Sequence, residues 1–448
     1  MAGAGASAQP AGPGTVAPVS FEDAVVLAQE QAYAVTAAEV DAEVARAEVD
    51  AVEAERWPAL SLSAGAGQRY GLGFDQTAGT LTQTRVEALD VALSANYVVF
   101  DGFERRSRLR SAEASVLAAA FDAERARQRV VGEVVRGYLA VSQAEAAVTV
   151  VSAEIEAQGR IGEELRALVD LGVRPAYEVD LHESRVATVR MRLLEVQRDR
   201  ELAEAYLVRL LGLDPVGAYA FPVPSARGDG PDVPTDTLLR RAVHARPDLV
   251  AADLAIRAAR ADRRAATATR LPRIALVGGV GSNYTSANDA VGLTDQLGGN
   301  RAGSLGFRIS VPLLDRGSAR RSIRRADLRV ASLENAAEDL RREAVLEVRE
   351  RQIDLRALLG LREAAGARAT ALSAALTAED ARYRSGTATF QAVAQLRAQR
   401  VDALAEQARL DVAIQFQRFM IGLLTTRDPS LATGQAGHGE VVSRPTVD

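Results

Sequence analysis

Cysteine is absent from the 448 residues, which removes thiol catalysis, disulfides and thiolate metal sites together. Histidine is scarce: His182, His244 and His438 stand singly, too few and too scattered for a zinc or triad enzyme. Lysine is missing too, so all 54 basic residues are arginine. Two readings of that stand side by side, codon bias and a need for forked guanidinium groups in ion pairs between helices. Aromatics make up only 4%, low for a core that relies on large side chains, so something other than one thick core must hold the chain together. No run of about 18 apolar residues appears, and no transmembrane helix is expected. The 54 basic against 59 acidic residues give a net charge of −5, which argues against nucleic acid as a partner.

What is present repeats. Arg56-Trp57-Pro58 and Arg270-Leu271-Pro272 share Arg-x-Pro at an offset of 214 (272 − 58). Phe100-Asp101 falls on Leu314-Asp315, Gly172 on Gly386, Val179 on Val393 and Asp214-Pro215 on Asp428-Pro429 at the same offset. A constant offset across unlike segments predicts duplication of one whole unit. The expected organisation is a flexible arm over 1–19, a first copy over 20–215, a linker over 216–234, a second copy over 235–429 and a flexible tail over 430–448. Within the arm, Ala6-Ser7-Ala8 before Gln9-Pro10 is similar to the cleavage site of an export signal. An Ala/Gly/Pro-rich arm without meaning fits equally.

Each copy reads alike. Residues 20–57 lack proline and glycine, and Ser20 three residues before Asp23 offers an N-cap, so one helix of about 55 Å is predicted, ended by Trp57-Pro58. The period then changes to two. Leu89, Val91, Leu93, Ala95, Tyr97 and Val99 alternate with Asp90, Ala92, Ser94, Asn96 and Val98; Leu305, Phe307, Ile309 and Val311 alternate with Gly306, Arg308 and Ser310. With partners near 60–70 and 274–284, these predict two β-hairpins, 59–100 and 273–314, closed by Gly, Thr, Asn and Asp-rich loops. Next, Leu109, Val116, Ala123 and Val130, with Ile323, Val330, Ala337 and Ala344 at the offset, step by seven, a coiled-coil signal. Nearly seventy residues without proline would span about 105 Å, against a radius of gyration near 22 Å for a compact domain of this size. Turns at Gly172 and Gly386 send a return helix back to about 212 and 424.

Four strands with one apolar and one polar face cannot close a barrel, and open sheet edges are forbidden in hydrocarbon. Closed barrels need at least about eight strands. If these strands cross a membrane the chain must oligomerise, as a dimer or a trimer; a soluble sheet packed on helices is the other possibility. A glycine-rich stretch, Gly65-Ala66-Gly67-Gln68-Arg69-Tyr70-Gly71, has the wrong spacing and setting for a dinucleotide loop. No nucleophile, base or metal cluster stands out, so neither an enzyme nor a cofactor is expected.

The duplicated helix, hairpin and coiled-coil unit, the Pro58 and Pro272 entries, Tyr97-Val98-Val99-Phe100-Asp101-Gly102 and Ser310-Val311-Pro312-Leu313-Leu314-Asp315-Arg316-Gly317 resemble the TolC outer-membrane efflux family over residues 20–425. The resemblance implies a mainly α fold with β strands. It implies a homotrimer whose twelve strands form an outer-membrane barrel in lipid and whose helices form a periplasmic α-barrel. It further implies a passive export duct of a tripartite efflux or type I secretion system, docked by a periplasmic adaptor and an inner-membrane transporter. A soluble coiled-coil scaffold is the alternative.

For a duct, the informative residues line the passage. Asp90, Ser94, Asn96, Arg308 and Ser310 are expected in the barrel lumen, because their neighbours are apolar. The family's paired acidic residues after the second turn fall here on Ala392 and Gln395, so that ring is missing. The first copy offers Arg174, Glu178 and Asp180 instead, and these with Gln391 and Gln395 are the candidate constriction; ordinary solvated positions are the competing reading. Leu171, Gly172, Val173, Ser385, Gly386 and Thr387 are, by resemblance, the adaptor-docking turns. The absent cysteine also removes a lipid attachment point found in part of the family, unless that residue was lost with the export signal.

Overall fold

The computed structural model describes residues 17–75, 80–222, 235–286 and 291–425. The first copy holds β1 (Ala17–Pro18), α1 (Phe21–Gln31), α2 (Tyr33–Ala54), β2 (Ala59–Asp75), β3 (Thr80–Phe100), α3 (Glu104–Asp170), α4 (Tyr177–Leu210) and β4 (Tyr219–Ala220). The second holds α5 (Thr235–Ala245), α6 (Pro247–Ala268), β5 (Arg273–Thr285), α7 (Leu293–Gly299), β6 (Ala302–Ser310), α8 (Ser318–Arg384) and α9 (Phe390–Thr425). Shifting the bounds of α1, α2 and α3 by 214 gives those of α5, α6 and α8 to the residue. α3 and α8 are 67 residues each, about 100 Å of helix. Among the described residues no helix is long and apolar enough to cross a membrane.

Three local differences from the expected layout stand out. The helix predicted over 20–57 is broken at Ala32, which is extended (φ −66°, ψ 128°) while its N–H still closes on Ala28 O. In the second copy the break falls at Arg246, where Pro247 pushes the preceding residue out of the helical region. The first copy has no proline there; Ala32 is instead buried in the core. The second hairpin is not closed by a bare loop but carries α7. Its buried Gln296 accepts from Thr285 N (3.0 Å) and donates to Thr285 O (3.1 Å) and Val291 O (2.9 Å). Lastly, residues 17–18 of the expected flexible arm form β1, pairing in parallel with β4 inside the expected linker, and Val19 is buried. Residues 1–16, 223–234 and the tail 430–448 lie outside the described residues.

The described chain divides into two compact units, and neither follows the repeat boundary. Unit one gathers the described residues within 1–39, 121–249 and 339–448; unit two gathers those within 40–120 and 250–338.

Unit one contains the main apolar core, which holds a cluster of aromatic rings. Phe21 meets Tyr138, Phe416 and Phe419 edge to face at centroid distances of 5.4, 5.9 and 5.3 Å, and Tyr138 meets Phe221 at 5.7 Å. Val130, Val131, Val134 and Val135 of α3 and Leu207 and Leu211 at the end of α4 complete it. The Tyr138 hydroxyl donates to Val19 O at 2.5 Å, and burial first, then Asp23 and Glu22, pushes its pKa up. Elsewhere in this unit Arg246 forks onto Asp248 (3.1 and 2.7 Å) and reaches Glu347 (2.7 Å), while Arg125 lies 3.2 Å from Asp248. This buried network ties the α5–α6 break to α3 and α8.

Unit two holds one antiparallel sheet in the order β2-β3-β5-β6. β2 and β6 are its edges, and among the described residues neither has a strand on its outer side. Directly paired residues share a face. One face carries Leu60, Leu62, Leu93, Leu276, Val280, Leu305 and Phe307, and the other carries serines, glycines and charges. Ser61 and Ser94 join hydroxyls across the polar face at 2.7 Å.

Each long helix is entered through an aspartate and two residues of positive φ: Gly102 and Phe103 after Asp101, Arg316 and Gly317 after Asp315. Asp101 Oδ2 accepts from Arg105 N (2.9 Å); Asp315 accepts from Gly317 N (2.9 Å) and Ala319 N (2.7 Å). The Ala319 and Gly317 backbone bonds hold the Asp315 carboxyl below its ordinary range. At Gly102 (φ +72°) a Cβ would sit 2.7 Å from Leu271 Cβ and 3.0 Å from Ala268 O. Gly102→Ala is therefore expected to lower the thermal midpoint, since the left-handed conformation alone costs about 1–2 kcal/mol and the clash adds to it. Gly306→Ala, with open space around it, should leave the midpoint unchanged.

Candidate functional site

The two turns between long and return helices are built alike. After α3, Val173 N bonds Leu168 O and Gly172 N bonds Val169 O, both at 2.9 Å, with Gly172 at φ +70°. After α8, Thr387 N bonds Arg382 O (2.9 Å) and Gly386 N bonds Tyr383 O (3.0 Å), with Gly386 at φ +75°. This crossed pair is the Schellman stop, which needs a left-handed residue and so favours glycine. Leu171 and Val173 project into solvent, and the Ser385 and Thr387 hydroxyls both cap Arg382 O. The six turn residues thus form two rigid, exposed knuckles.

The five constriction candidates separate. The Arg174 guanidinium lies over the Tyr383 ring at 4.8 Å, linking the first turn to the last helical turn before the second. Asp180, Gln391 and Gln395 are exposed, whereas Glu178 is half-buried with its Oε2 shielded and without a hydrogen-bond partner. Val179 and Tyr383 pack on Ile161, Leu165 and Ala394, so the two hairpins meet through a small apolar cluster next to these polar groups.

The five lumen candidates stay together. Register places Asp90, Ser94, Asn96, Arg308 and Ser310 on the same, polar face of the sheet. That face also carries small residues, among them Gly65, Gly279 and Gly281.

A sheet that is apolar on one side, polar on the other and open at both edges, carried on 67-residue helices, is the arrangement that comparison with known proteins recognises. The profile described as outer membrane efflux protein matches residues 24–213 and 238–419. The chain belongs to the outer membrane efflux protein family. It is 29% identical over 392 residues to outer membrane protein OprJ of Pseudomonas aeruginosa, covering 86% of this chain and 78% of OprJ. The solved outer-membrane channel OprN matches with a TM-score of 0.76 at 24% identity, covering 90% of this chain and 89% of that one. The CmeC channel of Campylobacter jejuni matches at 0.78 and 16% identity, covering 93% and 88%. The protein is an outer membrane efflux protein, and the soluble scaffold is set aside.

In this efflux protein the particular ties between helices near the turns were not read from the sequence. Arg166 pairs with Glu183 (2.8 Å) across the first hairpin and Arg397 with Asp380 (2.9 Å) across the second. Arg192 of α4 pairs with Asp402 of α9 (3.0 Å), joining one hairpin to the other. Beside that pair, burial first and then Asp402 push the Glu154 carboxyl up, against Arg192. His182 is buried with Nε2 3.0 Å from Gln158 O, over Gly162, whose missing side chain makes room for the ring. The excess of arginine was the available signal for such ties, but pairing partners far apart in sequence could not be read from it.

Proposed function

We propose that three copies of the chain close twelve strands into an outer-membrane barrel and their long helices into a periplasmic tunnel. The assembly is a passive exit duct without catalytic activity. It passes drugs, other small solutes or secreted polypeptides delivered by a periplasmic adaptor and an energised inner-membrane transporter. The observation that carries this reading is the sheet: its apolar face suits hydrocarbon, its polar face suits water, and its two open edges are intolerable in lipid unless further copies pair with them. Asp90, Ser94, Asn96, Arg308 and Ser310 would line the barrel. The turns at 171–173 and 385–387 would receive the adaptor, since they present fixed apolar and hydroxyl groups.

At the narrow end, three copies of Glu178 would attract cations, with Gln391 and Gln395 as neutral rings beside them. Purified protein in a planar bilayer is expected to give discrete conductance steps. Combining Glu178→Ala with Gln395→Ala should raise unitary conductance and weaken cation selectivity. Unchanged conductance and selectivity would remove these residues from the constriction; no steps from the unaltered protein would remove the channel itself.

A further inference from the structure

The internal duplication acts as a ruler for contacts that the single chain does not contain. Wherever the first copy touches the second, a ring of copies requires the second copy to touch the first copy of the next chain, with each residue number moved by 214. This step rests on the closed oligomer proposed above.

In the sheet, β3 pairs with β5 through Ser94↔Gly279, Leu93↔Val280 and Asn96↔Val277. Moving β3 forward and β5 back by 214 sets Arg308 opposite Gly65, Phe307 opposite Ala66 and Ser310 opposite Ser63. The result has an internal check. The faces of β2 and β6 are fixed independently, by their own pairing with β3 and β5. The transferred register places Ser310, Arg308 and Gly306 against Ser63, Gly65 and Gly67 on the polar face. It places Ile309 and Phe307 against Ala64 and Ala66 on the apolar face. A slip of one residue would mix the faces. It also sets bulky, exposed side chains of β6 against small ones of β2.

A second contact transfers the same way. Gly102 lies tight against Leu271 and Ala268. At the offset these become Arg316 against Trp57 and Ala54. Arg316 takes the left-handed conformation that Gly102 takes and is exposed, and Trp57 is 77% exposed. A guanidinium over an indole face is a favourable pair.

We infer that the joint between neighbouring chains is an antiparallel β6–β2 pairing in the register Ser310↔Ser63, closed beside it by Arg316 of one chain stacked on Trp57 of the next. The absence of cysteine makes the register measurable, since an introduced pair is the only thiol pair present. Antiparallel partners fall within disulfide reach.

Ser63→Cys with Ser310→Cys, in membranes with a mild added oxidant, is expected to give covalent dimers and trimers, and either substitution alone should give none. Stronger cross-linking of Ser310→Cys with Ser61→Cys or Gly65→Cys would overturn the register. No cross-link from any pair, while the purified protein keeps the mass of a trimer, would overturn the joint and leave the channel reading standing. A monomeric mass in detergent would remove both. The stacking has its own readout, because Trp57 is the sole tryptophan. Arg316→Ala should shift its emission to longer wavelength and make it more readily quenched by iodide in the assembled protein. An unchanged spectrum and unchanged quenching would overturn the contact.

Discussion

Replacing Arg246 by alanine is expected to cost about 3–5 kcal/mol of stability at neutral pH, as removal of one partner from a buried ion pair does. The side chain is 4% exposed, and its removal leaves Asp248 and Glu347 with Arg125 as the ion-pair partner remaining among the described residues. Arg246→Lys should recover part of the loss, because a single ammonium keeps the charge but not the fork that holds both Asp248 oxygens. The dependence on pH has a definite sign. Burial pushes the Asp248 carboxyl up, but hydrogen bonds from Arg246 and the charges of Arg125 and Arg246 outweigh it and hold the group below its ordinary 3.8. A carboxylate with a lowered folded pKa contributes stability that is present above that ordinary value and is lost as pH falls through the folded one. Chemical denaturation of parent and variant at pH 7 and again below pH 3.8 should therefore show the gap narrowing in acid. A gap that stays constant would mean the network contributes through packing alone.

Truncating Phe21 to alanine should be comparably severe, about 3–5 kcal/mol, because one ring is the meeting point of Tyr138, Phe416 and Phe419. Those partners come from α3 and α9, so the loss loosens the joint between both copies rather than one helix. Tyr138→Phe should cost less, about 1–3 kcal/mol, by leaving the buried Val19 carbonyl without its donor. Thermal midpoints of the detergent-solubilised protein rank the variants. Phe21→Ala no worse than Tyr138→Phe would show that the ring cluster is not the keystone of unit one.

Most of the architecture was legible because it is periodic. Strand faces follow from a period of two, so all five lumen candidates were placed on one side of the sheet without knowledge of the register. Helix length follows from an uninterrupted run without proline, and α3 and α8 repeat the offset to the residue. What escaped was aperiodic. Pro247 marks the break in the second copy openly, but nothing in the Ala-rich stretch around Ala32 announces the break in the first. Val19 lies in a composition that suggests a loose arm, yet it is held by Tyr138 from 119 residues away. At the turns, Arg174 was singled out for its charge; its actual neighbour, the Tyr383 ring, comes from the other copy and no local spacing connects the two.

Each ion pair described above, in the network at Arg246 and in the ties of both hairpins, has a guanidinium as its cation. An ammonium begins to lose its proton near pH 10, whereas a guanidinium keeps it beyond about pH 12. These pairs are accordingly expected to withstand alkali better than acid. Base strong enough to discharge a lysine should leave most of these pairs standing, although burial pulls the Arg125 guanidinium down, while acid reaches them through their carboxylates.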